Sequence, residues 1–152
     1  MIQRLIYPPF LAGRAGLALL LLRLFVGAAF LFHGGGKASD VSAFAAEFQI
    51  PVALAALAAY TQLAGAVLLI LGLAAPAGAA AIAGTMAVAT MKLMARGEVF
   101  VSPHGHSYEA SFFYFTTACA LLLLGPGAYS IDGLFLPRFG FVTGRSAHPQ
   151  NT

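Results

Sequence analysis

Charged residues are scarce in this sequence. Eight Lys and Arg and five Asp and Glu make up 9% of the 152 residues, whereas hydrophobic residues make up 60%. Ordinary globular domains carry about 25% charged residues, which coat the surface that faces water. A surface with so little charge suits lipid instead. The composition therefore predicts one integral membrane domain, residues 1–152, largely covered by the lipid bilayer.

Cysteine is almost absent as well, because Cys119 is the single one in the chain. One thiol excludes an intramolecular disulfide and a Cys-x-x-Cys redox pair. The basic residues are isolated rather than clustered, which argues against nucleic-acid binding. Any redox chemistry in this protein therefore needs an electron carrier other than its own thiols.

Four apolar stretches predict transmembrane helices at about residues 15–33, 52–73, 77–94 and 108–125. Each is close to the ~20 residues that a helix needs to cross a bilayer. Backbone N–H and C=O groups inside lipid must form hydrogen bonds within the segment, which a helix achieves. These stretches lack the alternation of apolar and polar residues that is typical of a β-barrel. The predicted fold is all-α, a bundle of four transmembrane helices.

The link between the first two stretches, SDVSAFAAEFQIP, predicts a short amphipathic helix on the membrane surface. Ser39 or Asp40 can cap its first turn, and Pro51 separates it from the next span. Its apolar residues recur at helical spacing, at Val41, Phe44, Ala45 and Phe48. Such a helix lies in the interface with its apolar face toward the lipid.

The distribution of basic residues predicts the orientation in the membrane. With four spans, both termini lie on one side, and that side carries more Arg than the loops opposite. The terminal basic residues are Arg4, Arg14, Arg138 and Arg145. Positive residues favour the cytoplasm, so we expect cytoplasmic termini, including a tail over residues 128–152.

Arg23 lies about two turns inside the first stretch, where a charged group costs roughly 2.5–3.5 kcal/mol on insertion scales. One interpretation is that its long side chain extends back to the headgroups. The other is an interior arginine that pairs with an acid or holds an anionic ligand. Asp132, just after the fourth stretch on the same side, is the natural partner for a structural polar pair.

The segment FLFHGGGKASD ends the first stretch with a histidine, three glycines and a lysine. Each glycine costs ~1 kcal/mol relative to alanine inside a helix, so we expect the helix to end near His33. A glycine cap with Lys37 beside the helix C-terminus explains part of the segment. Glycines also admit a ligand or a second backbone, so a binding site is the alternative.

Several polar residues share the predicted outer side of the bundle and are candidates for ligand binding. They are His33, Lys37, Gln62, Glu98, His104 and His106. His104-x-His106 supplies two metal ligands, whereas a metal site needs three or four in fixed geometry. The pattern therefore does not predict a metal site, and a solvated polar loop is the simplest interpretation of the histidines.

The segment LLLRLFVGAAFLFHGGGK resembles the first-helix signature of the DoxX-like membrane proteins. The matching residues there are Arg23, Gly27, His33, Gly34 and Lys37. The later LLLLGPGAYSID is similar to the end of that family's fourth helix, through Gly125, Pro126, Gly127, Ser130 and Asp132. The resemblance implies a four-helix protein of the bacterial inner membrane, and some relatives are subunits of thiosulfate:quinone oxidoreductases.

Three functions follow from these features. The first is a redox-associated subunit that binds a quinone or a partner oxidoreductase, rather than a stand-alone catalyst. The second is a non-catalytic scaffold or accessory subunit, which fits the small residues Ala80 and Gly84 and their predicted close helix contact. The third is a small transporter, which would need a homo-oligomer because four spans form a narrow pathway.

Overall fold

The computed structural model describes residues 10–103 and 105–136. The helices in these residues are α1 Gly13–Ser39, α2 Val41–Phe48, α3 Val52–Leu71, α4 Ala75–Ala95, α5 Glu109–Leu124 and α6 Ile131–Phe135. The described residues form no β-strand, and a single isolated bridge joins Val99 to Ser107. The predicted all-α class is therefore confirmed for this part of the chain.

Three helices are long and apolar enough to cross a bilayer, judged by length and composition. They are α1 with 27 residues, α3 with 20 and α4 with 21. The fourth predicted span corresponds to α5, an apolar helix of 16 residues. At 1.5 Å per residue, α5 is shorter than the roughly 30 Å hydrocarbon core. The structure thus supports three of the four predicted spans by length.

The expectation that α1 ends near His33 is wrong, because the helix continues through Gly34, Gly35 and Gly36 to Ser39. Gly34 is buried where α1 meets α3, and a Cβ there would lie 2.9 Å from the Leu63 Cγ atom. Close packing of two helices at Gly34 stabilises a segment that glycine propensity alone disfavours. The continuation places Lys37 in the last helical turn.

The three glycines should respond differently to alanine. Around Gly35 and Gly36 no described atom lies within 4 Å of an added Cβ. We expect Gly35→Ala and Gly36→Ala each to stabilise the protein by up to ~1 kcal/mol through helix propensity, and Gly34→Ala to destabilise it. Thermal unfolding in detergent measures whether each variant is more or less stable than the wild type. Equal shifts for all three variants would contradict the packing at Gly34.

The predicted helix between the first two spans is confirmed as α2. The Asp40 carboxylate accepts from the Ala43 N–H at 2.9 Å and caps the helix. Phe44 and Ala45 are buried against Ala55 of α3. The helix ends at Gln49, which has a left-handed backbone with φ of 51°. Its position at the membrane surface remains a prediction.

The long helices pack in the order α1, α3, α4 and α5, with a smaller contact between α1 and α5. The helices α3 and α4 approach closely at Gly65 and Gly78, where a Cβ on Gly78 would lie 2.9 Å from the Gly65 carbonyl oxygen. The expected close contact at Gly84 is wrong, because no described atom lies within 4 Å of a Cβ added there. Gly84 instead borders a cavity.

Candidate functional site

A cavity of about 560 Å³ lies between α3 and α4, beneath α2. Its walls are largely apolar. They include Phe44, Phe48, Leu54, Leu57, Ala80, Ala81, Gly84 and Val88. Drug-sized ligands occupy cavities of roughly 300–1,000 Å³ that combine apolar walls with few polar groups. In size and lining, this cavity meets that description.

The polar part of the cavity includes Lys37 of α1 and Gln62 of α3. The Lys37 Nζ atom donates to Gln62 Oε1 at 3.0 Å, and it lies 5.0 Å from the centre of the Phe44 ring. Gln62 is 2% exposed, so its amide is held within the protein. The Oε1 atom of Gln62 accepts from Lys37, and the amide nitrogen of Gln62 carries two N–H donors.

Lys92, near the end of α4, is the second cation that lines the cavity. Its Nζ atom donates to the Phe48 carbonyl oxygen at 3.1 Å. The neighbouring Arg96 donates to the Glu47 carbonyl oxygen at 2.7 Å and lies over the Phe48 ring at 5.4 Å. Two cations thus bind the last carbonyls of α2, an arrangement that helix C-termini favour.

A separate polar cluster lies at the other end of the bundle, around Arg23. This side chain is 1% exposed. Its Nη1 atom donates to the Leu69 carbonyl oxygen at 3.2 Å, and its Nη2 atom donates to the Tyr129 carbonyl oxygen at 2.5 Å. Its Nε atom has no partner in the described part of the chain. The guanidinium therefore binds the end of α3 inside the protein.

Asp132 binds the start of α4 at the same turn. Its two carboxylate oxygens accept from the backbone N–H groups of Ala74 at 2.9 Å and Ala75 at 3.0 Å. Its own N–H donates to the Gly72 carbonyl oxygen at 2.9 Å. A cation at a helix C-terminus and an anion at a helix N-terminus both stabilise the helix dipoles. Arg23 and Asp132 thus bind backbone groups on either side of the turn that joins α3 to α4.

Three other candidates from the sequence, His33, Glu98 and His106, do not line the cavity. His33 is exposed and packs against Phe30 and Tyr114, with ring centres 5.9 and 6.1 Å away. Glu98 and His106 lie in the loop between α4 and α5, and His104 lies outside the described residues. Among the residues described, no three His, Cys, Asp or Glu side chains are grouped to hold a metal ion.

Lys92 and Gly84 were not among the residues that sequence reasoning assigned to ligand binding. They lie on one face of α4 with Ala81 and Val88, at helical spacing. That spacing is a signal, since residues three or four apart share a helix face. The signal from this spacing is weak in α4. Apolar residues lie on every side of the helix, so periodicity does not distinguish the face toward lipid from the face toward the cavity.

Comparison with known proteins identifies a family. The family model described as DoxX matches residues 18–95. The matched range includes every residue that lines the cavity, from Lys37 to Lys92. The Gly-Pro-Gly and Ser-x-Asp motifs at 125–132 lie outside it. No curated protein matches the chain, and no solved structure matches it.

Proposed function

The chain belongs to the DoxX family of membrane proteins, and from this premise we propose that it is a redox-associated subunit that binds a quinone between α3 and α4. The observation that carries the proposal is the apolar cavity that has Lys37 and Gln62 among its lining residues. A quinone has a flat apolar head with two carbonyl oxygens that accept hydrogen bonds. Lys37 and the amide nitrogen of Gln62 are donors suited to one of these oxygens.

The small residues of α4 support the same proposal. Ala80, Ala81 and Gly84 leave space where larger side chains would fill the groove between α3 and α4. An isoprenoid tail needs an apolar channel of this kind along a helix pair. The cavity thus offers polar contacts for the head of a quinone and apolar contacts for its tail.

A single cysteine cannot form a dithiol redox pair within the chain, so the electrons for the quinone need another carrier. We therefore propose a partner oxidoreductase in the same membrane. The proposed setting is the bacterial inner membrane, with α5 as a fourth span and cytoplasmic termini. In that setting the cavity lies toward the outer side, and Arg23 and Asp132 lie toward the cytoplasmic side.

Filling the cavity tests the proposal. We expect Gly84→Leu to weaken the binding of a naphthoquinone with a decyl tail by at least ~10-fold, which is about 1.4 kcal/mol. Gly35→Leu is the matched control, because its added side chain also meets open space but does not border the cavity. Equilibrium titration of the purified protein in nanodiscs measures both variants. Equal quinone affinity in both would contradict the proposed site.

A non-catalytic accessory subunit is the second candidate. The buried Arg23 and Asp132 favour it, because both side chains bind backbone groups of a structural turn. In that case Gly84→Leu leaves the activity of the host complex intact. Gly78→Leu, which breaks the contact of α4 with Gly65, would then disrupt assembly. The quinone proposal predicts that Gly84→Leu lowers the quinone-linked activity of a complex that still assembles.

A further inference from the structure

The two lysines in the cavity each bind a neutral oxygen atom. Lys37 donates to the side-chain amide of Gln62, and Lys92 donates to the backbone carbonyl of Phe48. An ammonium group carries three N–H donors, and each of these hydrogen bonds uses one. Both groups therefore keep donors for a ligand while their present contacts stay in place.

The cavity has positive charge without an acid in its lining. The described residues around it include two Lys and no Asp or Glu. Glu47 of α2 attracts Lys37 electrostatically, but its side chain is exposed, and its backbone oxygen binds Arg96. The Phe44 ring adds a cation–π contact to Lys37. Glu47 and the Phe44 ring thus offset part of the positive charge of Lys37.

A cation in an apolar environment is costly unless a negative group accompanies it. A lysine that donates to a neutral carbonyl oxygen forms a hydrogen bond with one charged partner, whereas an anionic oxygen adds the Coulomb attraction between two opposite charges. A ligand with a negative oxygen gains this attraction at Lys37 and Lys92, whereas a ligand with a neutral carbonyl oxygen does not. The positive charge of the cavity thus favours ligands with an anionic oxygen over ligands with a neutral one.

We infer that this cavity selects amphiphiles whose head is an anionic oxygen, held by Lys37 and Lys92, with an apolar body along Ala81 and Gly84. The inference rests on the proposed quinone site and adds the charge of its ligand. Two sources share this chemistry: the carboxylate of a fatty acid, and the ionised hydroxyl of a hydroxyquinone. Arg96 lies outside the cavity lining and takes no part.

Four probes separate charge from shape. They are palmitate, its methyl ester, a hydroxynaphthoquinone with a decyl tail, and the methyl ether of that quinone. Each is titrated into the full-length protein in phosphatidylcholine nanodiscs, a lipid without net charge. We expect each anionic probe to bind at least ~10-fold more tightly than its neutral partner, because only the anionic probe gains the attraction between opposite charges.

Variants assign the preference to the lysines. Lys37→Met and Lys92→Met should each reduce the preference for the anionic probe severalfold, and the double variant should abolish it. Lys37→Arg should retain it, because arginine preserves the charge. Arg96→Met is the control, since it removes a nearby cation that does not line the cavity. Circular dichroism verifies folding, and Lys92→Met alone suffices as a test if the Lys37 variant fails to fold.

Each outcome decides between the proposals. Equal affinity for the ionised quinone and its methyl ether overturns the charge inference and leaves the quinone site standing. Tight binding of palmitate but not of its methyl ester, without binding of either quinone, overturns the quinone proposal and supports the charge inference with a lipid ligand. Binding of none of the four probes overturns both. A preference that survives in the double lysine variant also overturns the assignment to these residues.

Discussion

Arg23→Met should destabilise the protein by about 3 kcal/mol, since hydrogen bonds that involve a charged group are worth roughly 1.5–3 kcal/mol each. The guanidinium joins the end of α3 to the segment after α5, through the carbonyls of Leu69 and Tyr129. Methionine has a similar length but no donor. The Tyr129 carbonyl would lose this donor, and Asp132 would lose the positive charge nearby.

The planar shape of arginine contributes to this effect. Its two terminal nitrogens reach two different carbonyls, whereas lysine has one nitrogen on a flexible stem. Arg23→Lys should therefore retain the charge yet lose one of the two contacts, with a stability between those of the wild type and the methionine variant. Adding a side chain at Gly72 should also be harmful, because a Cβ there would overlap the Arg23 guanidinium.

Unfolding by sodium dodecyl sulfate in mixed micelles, followed by circular dichroism, measures these differences. Arg96→Met is the matched control, because Arg96 also donates to a backbone carbonyl but is exposed. Exposed charged contacts contribute roughly 0–1 kcal/mol, so this control should change little. A loss at Arg23 no larger than the loss at Arg96 would refute the structural role of the buried guanidinium.

Much of the helical architecture could be predicted from the sequence. The apolar stretches around residues 52–73 and 77–94 correspond to α3 and α4, because length and hydropathy determine where a helix can lie in lipid. The end of α1 could not be predicted in the same way. Glycine propensity places it near His33, but the contact of Gly34 with Leu63 outweighs propensity and depends on a distant segment.

The site was predictable in part. Lys37 and Gln62 attract attention as polar residues in apolar stretches, and the structure joins them through a hydrogen bond. His33 has the same sequence signal, yet it packs against Tyr114 of α5 rather than in the cavity. In a helix that is apolar on every side, the sequence does not distinguish the face toward lipid from the face toward a cavity. Helix packing decides between them.

Asp132→Asn should destabilise the protein by roughly 1.5–3 kcal/mol, the value of one hydrogen bond to a charged group. The carboxylate accepts from both Ala74 and Ala75, whereas an amide offers one oxygen and directs an NH₂ group at the other N–H. The negative charge at the start of α4 is lost as well. Unfolding in mixed micelles measures the change.

Asp40→Asn provides a matched control for this variant. Asp40 also caps a helix, through a bond of 2.9 Å to the Ala43 N–H, but it is exposed and uses one oxygen. Asparagine caps helices about as well as aspartate, so the change at Asp40 should be small. Equal losses at Asp40 and Asp132 would contradict the view that burial and two acceptors make Asp132 important.

A double-mutant cycle decides whether Arg23 and Asp132 act as a pair. The two side chains bind opposite helix ends at one turn and attract each other electrostatically. Combining Arg23→Met with Asp132→Asn should therefore cost less than the sum of the single changes, with a coupling of roughly 0.5–3 kcal/mol. Arg23→Met combined with Asp40→Asn should be additive, because Asp40 lies at the far end of α1. Additivity in both combinations would show two independent caps rather than a polar pair.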